Sequence, residues 1–471
     1  LERNVPSAMT DTRAIAVIDI GKTNAKLVVW DAKTSVILFE ASRANHSIDG
    51  PPYCHLDVDG LWDFYISALK DAARETVIGR IVVTTHGATV AVLAGDELAL
   101  PVVDYENTYA PEINHAYGAA RDDFADSQSP CLPAGLNFGR QIFALEQAFP
   151  EEMARATDFL PYPQYWAWRL SGMKASEVTS LGCHSDLWRP HQADWSNLAK
   201  IRGWAGKFAP MRKASDVLGK ILPEIAAKTG LPTDCEIHCG IHDSNASLVP
   251  LIAKVEQPFS LVSSGTWTIC FSVGAHARPD LDENRDTLCN VDLNGNAVPS
   301  ARFMGGREYA FLADGHTDNP DFTDIKRLMA SDCLAVPSFA EAGGPFGHLV
   351  GHVINKAELR TARDKAALAT MYCALMVDYD LEMIGSEGPV IVEGPFATNT
   401  TFCQMLASLR PDQQVFASTD SSGTSYGAAL LTGRMQMHQS RGSTRIDPVK
   451  DSGILAYKNL WRNKLTMSTE S

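Results

Sequence analysis

Gly240-Ile241-His242-Asp243-Ser244-Asn245-Ala246-Ser247, followed shortly by Leu261-Val262-Ser263-Ser264-Gly265-Thr266-Trp267, is the stretch that decides the architecture of this chain. Glu236-Ile237-His238-Cys239-Gly240 is a short strand-like run that delivers the polar cluster His242-Asp243-Ser244-Asn245. A carboxylate at a strand end suits phosphoryl transfer, because it can take the proton of an attacking hydroxyl. The same residues suit a helix N-cap, where Asp, Ser and Asn are preferred; both readings stand on local sequence. Phe259-Ser260-Leu261-Val262 reads as a strand feeding a turn whose hydroxyls and backbone donors surround Gly265, a pattern shared with many ordinary Ser/Gly turns.

Working outward, the N-terminal side repeats this design. Ala14-Ile15-Ala16-Val17-Ile18 is a buried-strand run ending in Asp19-Ile20-Gly21-Lys22-Thr23-Asn24. Leu27-Val28-Val29-Trp30 and Val36-Ile37-Leu38-Phe39 follow, and three apolar runs separated by polar turns predict an antiparallel meander. A strand with a Gly/Thr turn at 14–23 and again at 259–266 predicts two similar halves, parted near residue 250. Residues 61–73 carry a helical stripe, 139–170 read as mainly helical with breaks at Pro150 and Pro161/Pro163, and 366–384 form the clearest helix. Ile81-Val82-Val83 is a strand ending at Thr84-Thr85-His86-Gly87, and Val390-Ile391-Val392 runs into Glu393-Gly394-Pro395. Gly427-Ala428-Ala429 predicts a tightly packed helix. The mixture predicts an α/β protein.

The first turn holds a phosphate-and-metal set of groups. Gly21 permits a tight turn and close approach. Lys22, Thr23, Asn24 and Lys26 supply donors, and Asp19 suits hydrated Mg²⁺. A plain hairpin turn also uses Asp, Gly and Asn. His86 is read as a donor to a sugar hydroxyl or as a structural hydrogen-bonder. Tyr162, Tyr165, Trp166 and Trp168 are core, or offer a ring to a sugar face.

Composition narrows the function classes. Lys and Arg number 41 against 56 Asp and Glu, a net charge of −15, which argues against a nucleic-acid partner. No apolar run is long enough to span a bilayer, and no charged-then-apolar leader is recognisable, so no membrane partner is expected. The ten Cys are scattered without zinc-ligand spacing and are expected to be reduced thiols in a cytoplasm. Residues 1–8, ahead of Met9, are expected to lie outside the fold.

Taken in order, strand–Asp-x-Gly turn, strand–His-Gly, Gly-x-x-Asp, Ser-Gly-Thr and a late Gly turn resemble the FGGY carbohydrate kinases. The resemblance runs from about Ala14 to about Leu431, and the His-Asp-x-x-x-Ser … Ser-Ser-Gly-Thr-Trp pair is especially similar to L-rhamnulose kinases. It implies an α/β fold of two actin/hexokinase/Hsp70-like (ribonuclease H-like) domains around an ATP/sugar cleft. Residues 10–249 would carry the sugar site and first phosphate loop, and 250–460 the nucleotide site. It implies Asp243 as catalytic base, touching sugar and metal, and Asp19 as the carboxylate near Mg²⁺. Gly21, Lys22, Thr23, Asn24 and Lys26 would form the first phosphate loop, Gly265 and Thr266 the second, and Gly394, Pro395 and Asn399 the adenosine turn. His86, Gly87, Tyr105, Glu106 and Tyr165 would lie on the sugar side.

The chain departs from the family pattern at Lys22 (usually Thr), Pro395 (usually Gly), Thr85 (usually Gln) and Tyr105-Glu106-Asn107 (usually Trp-x-Asp). The implied reaction is ATP-dependent phosphorylation of a ketohexose such as L-rhamnulose at O1. L-Fuculose or a pentulose (xylulose, ribulose) is the alternative substrate. Competing readings are an actin/Hsp70-type ATPase and a catalytically impaired sugar-binding regulator. Assembly, where it occurs, is expected as a homodimer.

Overall fold

The computed structural model describes residues 11–276, 279–316, 320–340, 343–418, 423–437 and 443–469; residues 1–8 lie outside these. The chain forms two units. The first takes in residues up to Lys254 together with 290–296 and 422–438, and the second takes in the remainder. A single cut near residue 250 thus leaves out two short returns of the chain to the first unit, which no local pattern announces.

The first unit is built on a seven-stranded sheet. Ala14–Ile20, Asn24–Trp30 and Ile37–Ala44 form the antiparallel meander. Ile78–Thr85 then pairs parallel with Ala14–Ile20, and both Glu236–His238 and Ile241–His242 pair parallel with Ile78–Thr85. The first strand is continuously apolar because both of its faces are buried. Ala14, Ala16, Ile18 and Ile20 enter one hydrophobic core, and Ile15 and Val17 enter another.

The second unit repeats the order. Phe259–Ser264, Thr268–Val273 and Ala297–Phe303 are antiparallel neighbours, and Val390–Glu393 and Val415–Ser418 extend the sheet parallel to Phe259–Ser264. The two Gly/Thr turns of the sequence therefore follow equivalent first strands.

Asp243 opens the helix Asp243–Lys254, which contains Pro250. Proline has no N–H to return to the carbonyl four residues earlier, so the Ala246 carbonyl is free of its helical partner. Gly427, in the helix Thr424–Leu430, packs against that carbonyl. The helix Ala362–Met383 is buried along most of its length. Within 139–170 the structure adds one strand, Asp158–Pro161, paired with Val90–Ala94. Four residues are too few for periodicity to separate from the helices on either side.

Candidate functional site

The candidate site in the first unit arises where parallel strands end side by side. Asp19 pairs in register with Thr84, and Thr84 with Ile241. The chain leaves these strands at Gly21, His86 and Asp243, and the His86 N–H donates to the Ile20 carbonyl at 2.8 Å. Ligands of open α/β sheets bind at such carboxyl ends.

Asp19 has the same parity as Ile15 and Val17, whose core also contains Ala246 and Val249 of the Asp243 helix. Burial pushes the Asp19 carboxyl up to about 6, the charge of Asp243 adds to the rise, and Lys26 opposes it. Lys26 faces Asp19 directly across the ladder, and its ammonium is 4.0 Å from Glu40. Two carboxylates close enough for the charge of one to raise the other, as Asp243 raises Asp19, suit a divalent cation. Mg²⁺ is commonly held by one or two carboxylates, with water and phosphate completing its shell. Among the described residues no group of three or more His, Cys, Asp or Glu forms a protein cage. The donor set fits Mg²⁺ shared with a phosphate ligand.

The first turn is tied down by a residue that its local pattern does not reveal. Asn45 donates through Nδ2 to the Gly21 carbonyl at 2.8 Å, and its N–H donates to the Thr23 carbonyl at 2.9 Å. Thr23 and Asn24 remain exposed. Lys22 does not join them. Its ammonium is bonded to both oxygens of Asp104, lies 3.2 Å from Glu106, and sits 4.8 Å from the centre of the Tyr105 ring. In this structure two carboxylates neutralise Lys22, and it links the first turn to the 104–106 loop. Asp104 is buried and also accepts from the Ser47 hydroxyl and the Glu106 N–H. Its signal was an acid directly before Tyr105, one place ahead of the pattern searched.

His86 is buried between Tyr105 and Tyr162, with ring centroids at 5.3 and 5.2 Å. Its Nδ1 lies 2.9 Å from the Gly87 carbonyl, which only accepts, so Nδ1 carries the proton. Burial lowers its pKa, and the bare Nε2 has no hydrogen-bond partner. His86 therefore offers an acceptor, not the expected donor. Tyr105 and Glu106 flank this corner. Tyr165 does not: it is 3% exposed, lies parallel to Tyr162 and packs on Trp166 and Trp168 inside the core. Arg169 of the helix Tyr162–Ser171 lies over the rings of Trp62, Tyr165 and Trp166, at 4.0, 5.8 and 5.7 Å from their centres.

Behind Asp243 lies a buried cluster with no expected counterpart. His242 Nε2 is 3.2 Å from Asp243 Oδ1, and Nδ1 is 2.8 Å from Asn245 Oδ1. Burial favours neutral His242, but the charge and hydrogen bond of Cys183, the charge of Asp243 and the hydrogen bond to Asn245 raise it well above its ordinary value. Burial opposes ionisation of Cys183, while His184 and His242 pull its thiol down to about 6. Glu177, fully buried, is pushed up by burial to about 7. The adjacent Cys183-His184 pair was the signal available in the sequence.

The second unit brings its two turns together. The Ser264 hydroxyl donates to the Glu393 carbonyl at 2.6 Å and accepts from the Phe396 N–H at 2.9 Å. Gly394 has φ +77°, and a Cβ there would lie 2.0 Å from the Ser264 carbonyl oxygen. Pro395 is the first residue of the turn of helix Pro395–Thr398, where its missing N–H costs nothing. Gly265 and Thr266 are exposed. Gly306 abuts them: its Cβ would lie 2.2 Å from the Gly265 carbonyl. Asn399 Oδ1 caps the helix Thr400–Leu409 through the Phe402 N–H, and its Nδ2 donates to Thr370.

Residues 14–250 match the N-terminal domain of the FGGY family of carbohydrate kinases, and 256–441 match the carbohydrate kinase FGGY C-terminal domain. The crystal structure of a carbohydrate kinase from Novosphingobium aromaticivorans superposes with a TM-score of 0.89 at 37% identity, covering 96% of this chain and 100% of that one. A rhamnulokinase from Halalkalibacterium halodurans is 25% identical over 261 residues, 54% of each chain. An L-fuculokinase from Haemophilus influenzae is 24% identical over 309 residues, 62% of this chain and 65% of that one. The chain thus spans about half the length of the rhamnulokinase it matches and just under two thirds of the fuculokinase. Among the described residues no helix is long and apolar enough to cross a membrane.

Proposed function

From its place in the FGGY family of carbohydrate kinases, to which this chain belongs, we propose that the protein transfers the γ-phosphoryl group of ATP to a ketose hydroxyl. The observation that carries the proposal is Asp243. Its Oδ1 accepts from the Ser244 N–H at 2.6 Å and the Ser244 hydroxyl at 3.3 Å and faces His242. Its Oδ2 is left for a ligand.

Asp243 accepts the proton of the attacking hydroxyl at that oxygen, as phosphoryl transfer requires. His86 accepts a hydrogen bond from a second sugar hydroxyl at Nε2. Within the first unit Thr23 and Asn24 offer donors to a phosphate; within the second, Gly265 and Thr266 offer donors of the same kind and the Gly394–Pro395 turn suits an adenosine. Mg²⁺ beside Asp19 supplies charge neutralisation of the phosphates when bound.

The substrate we favour is a ketohexose such as L-rhamnulose, phosphorylated at O1. The named rhamnulokinase and fuculokinase relatives support that class, and L-fuculose or a pentulose is the alternative. The reaction is placed in a cytoplasm, where its nucleotide is available.

A coupled ADP assay over ketohexoses, ketopentoses and polyols tests this, with the phosphorylated position read by NMR. ATP turnover that requires a ketose, and is abolished in Asp243→Ala while nucleotide still binds, is the expected result. Turnover indifferent to added sugar, or an active Asp243→Ala, overturns it.

A further inference from the structure

We propose that Trp267, gripped by Arg302 and by the backbone at Gly343, is a positioning residue that holds the second Gly/Thr turn so that its backbone donors meet a nucleotide phosphate. The inference rests on the reading of that turn as a phosphate loop, and every residue in it belongs to the second unit.

The turn has a closed side and an open side. The Gly306 N–H donates to the Thr266 carbonyl at 3.2 Å, and the Gly265 carbonyl lies against Gly306. In a trans peptide the N–H points away from the carbonyl it is joined to. The Thr266 and Trp267 N–H groups therefore face away from Gly306, and neither has a hydrogen-bond partner among the described residues. Successive free N–H groups in a turn make a concavity that suits an anion.

Trp267 carries one of those donors, and its ring is held on two sides. The register pairs Ile269 with Arg302. Trp267, just ahead of the strand Thr268–Val273, shares the parity of Ile269, so ring and guanidinium rise from one face. The Arg302 guanidinium lies over the Trp267 ring, 4.9 Å from its centre. Gly343 meets the far edge: a Cβ there would lie 2.7 Å from Trp267 Cη2 and 3.0 Å from Cζ3. One carboxylate ties both contacts together. Asp286 Oδ1 accepts from Arg302 Nε at 2.9 Å, and Asp286 Oδ2 accepts from the Gly344 N–H at 2.9 Å. The Arg302 and Asp286 side chains are 23% and 13% exposed, so solvent screens this pair less than one on the open surface. Losing the ring, or the carboxylate that spans its two holders, frees the peptide that presents the Trp267 N–H.

The test uses full-length Trp267→Leu, Trp267→Phe and Asp286→Asn. It measures ADP binding by isothermal titration, thermal midpoints, and KM for ATP and for whichever ketose the coupled assay shows to be turned over. Leu removes the ring, Phe keeps a ring face for Arg302, and Asn keeps the shape of Asp286 without its charge. The expected result for Trp267→Leu is a rise of about ten-fold in the Kd for ADP and the KM for ATP, with the ketose KM within about two-fold of wild type. Trp267→Phe is expected to recover most of that loss. Asp286→Asn, which keeps the test open should Trp267→Leu not fold, is expected to raise both nucleotide constants about three-fold.

Wild-type ADP binding in Trp267→Leu, or in Asp286→Asn where the Leu variant does not fold, overturns the positioning role alone. Weakened ADP binding that is equal in the Leu and Phe variants and merely follows the thermal midpoint also overturns it. A wild-type protein that binds no ADP removes the reading of the turn on which this inference rests.

Discussion

A Cβ on Gly427 would lie 1.8 Å from the carbonyl oxygen of Ala246. That oxygen lies in the helix that Asp243 opens, four residues ahead of Pro250. Gly427→Ala therefore has to push the helix aside by a large fraction of a side-chain radius. Overpacking of this kind costs about 1–3 kcal/mol. The expected outcome is a lower thermal midpoint together with a reduced kcat, read by scanning calorimetry and the coupled assay on the same preparation.

Lys22→Thr restores the residue usual in the family but leaves the buried Asp104 carboxylate without its ammonium partner. Asp104 keeps the Ser47 hydroxyl and the Glu106 N–H, so the loss is partial, about 2 kcal/mol. Because the ammonium is bound to Asp104, the KM for ATP should stay near wild type while denaturant resistance falls. A steep rise in the KM for ATP at unchanged stability would return Lys22 to the phosphates.

Glu177 links stability to pH. Its folded-state value, about 7, lies above the ordinary 4.5, so protonated Glu177 favours the folded state. That contribution is fully present below about pH 4.5, falls as pH rises through the window and is gone above about pH 7. Between pH 5 and 8 the wild type should lose about 2 kcal/mol relative to Glu177→Gln, which has no such proton to lose. Urea midpoints measured at pH 5, 6, 7 and 8 for both proteins give the comparison; parallel curves would refute the assignment.

Gly394→Ala meets both a left-handed backbone and the Ser264 carbonyl 2.0 Å from the new Cβ. Strain of about 1–3 kcal/mol is expected, released by separating the two turns of the second unit. The KM for ATP should rise several-fold with the sugar KM little changed. Pro395→Gly, at a position that needs no N–H, should alter neither by much; isothermal titration with a nucleotide analogue distinguishes the pair.

How much of the site was legible in the sequence varied with the reach of the interactions involved. Asp19, Gly21, Thr23 and Asn24 were readable because strand-then-turn chemistry is written in adjacent residues. Asp243 was readable as one of two things, a base or a cap, since a single local motif serves both. The packing of Tyr165 and the capping by Asn399 were not legible for a common reason: rings and amides serve ligands and interiors equally, and only their neighbours decide. His86 was read as a donor because its tautomer depends on the Gly87 carbonyl, which has to be seen in three dimensions.

The sequence by itself determined the alternation of strands and helices, the two Gly/Thr turns after equivalent strands, and the polar residues at strand ends. Those features depend on hydrophobic runs and backbone preferences within a few residues. The tertiary structure alone decided that Lys22 belongs to Asp104, that Gly87 makes room for His242, and that Val291 anchors Asn245. Each of these joins residues 46 or more apart in sequence. Which buried donor meets which acceptor is set by packing, since a buried polar group must find its partner wherever the fold brings one.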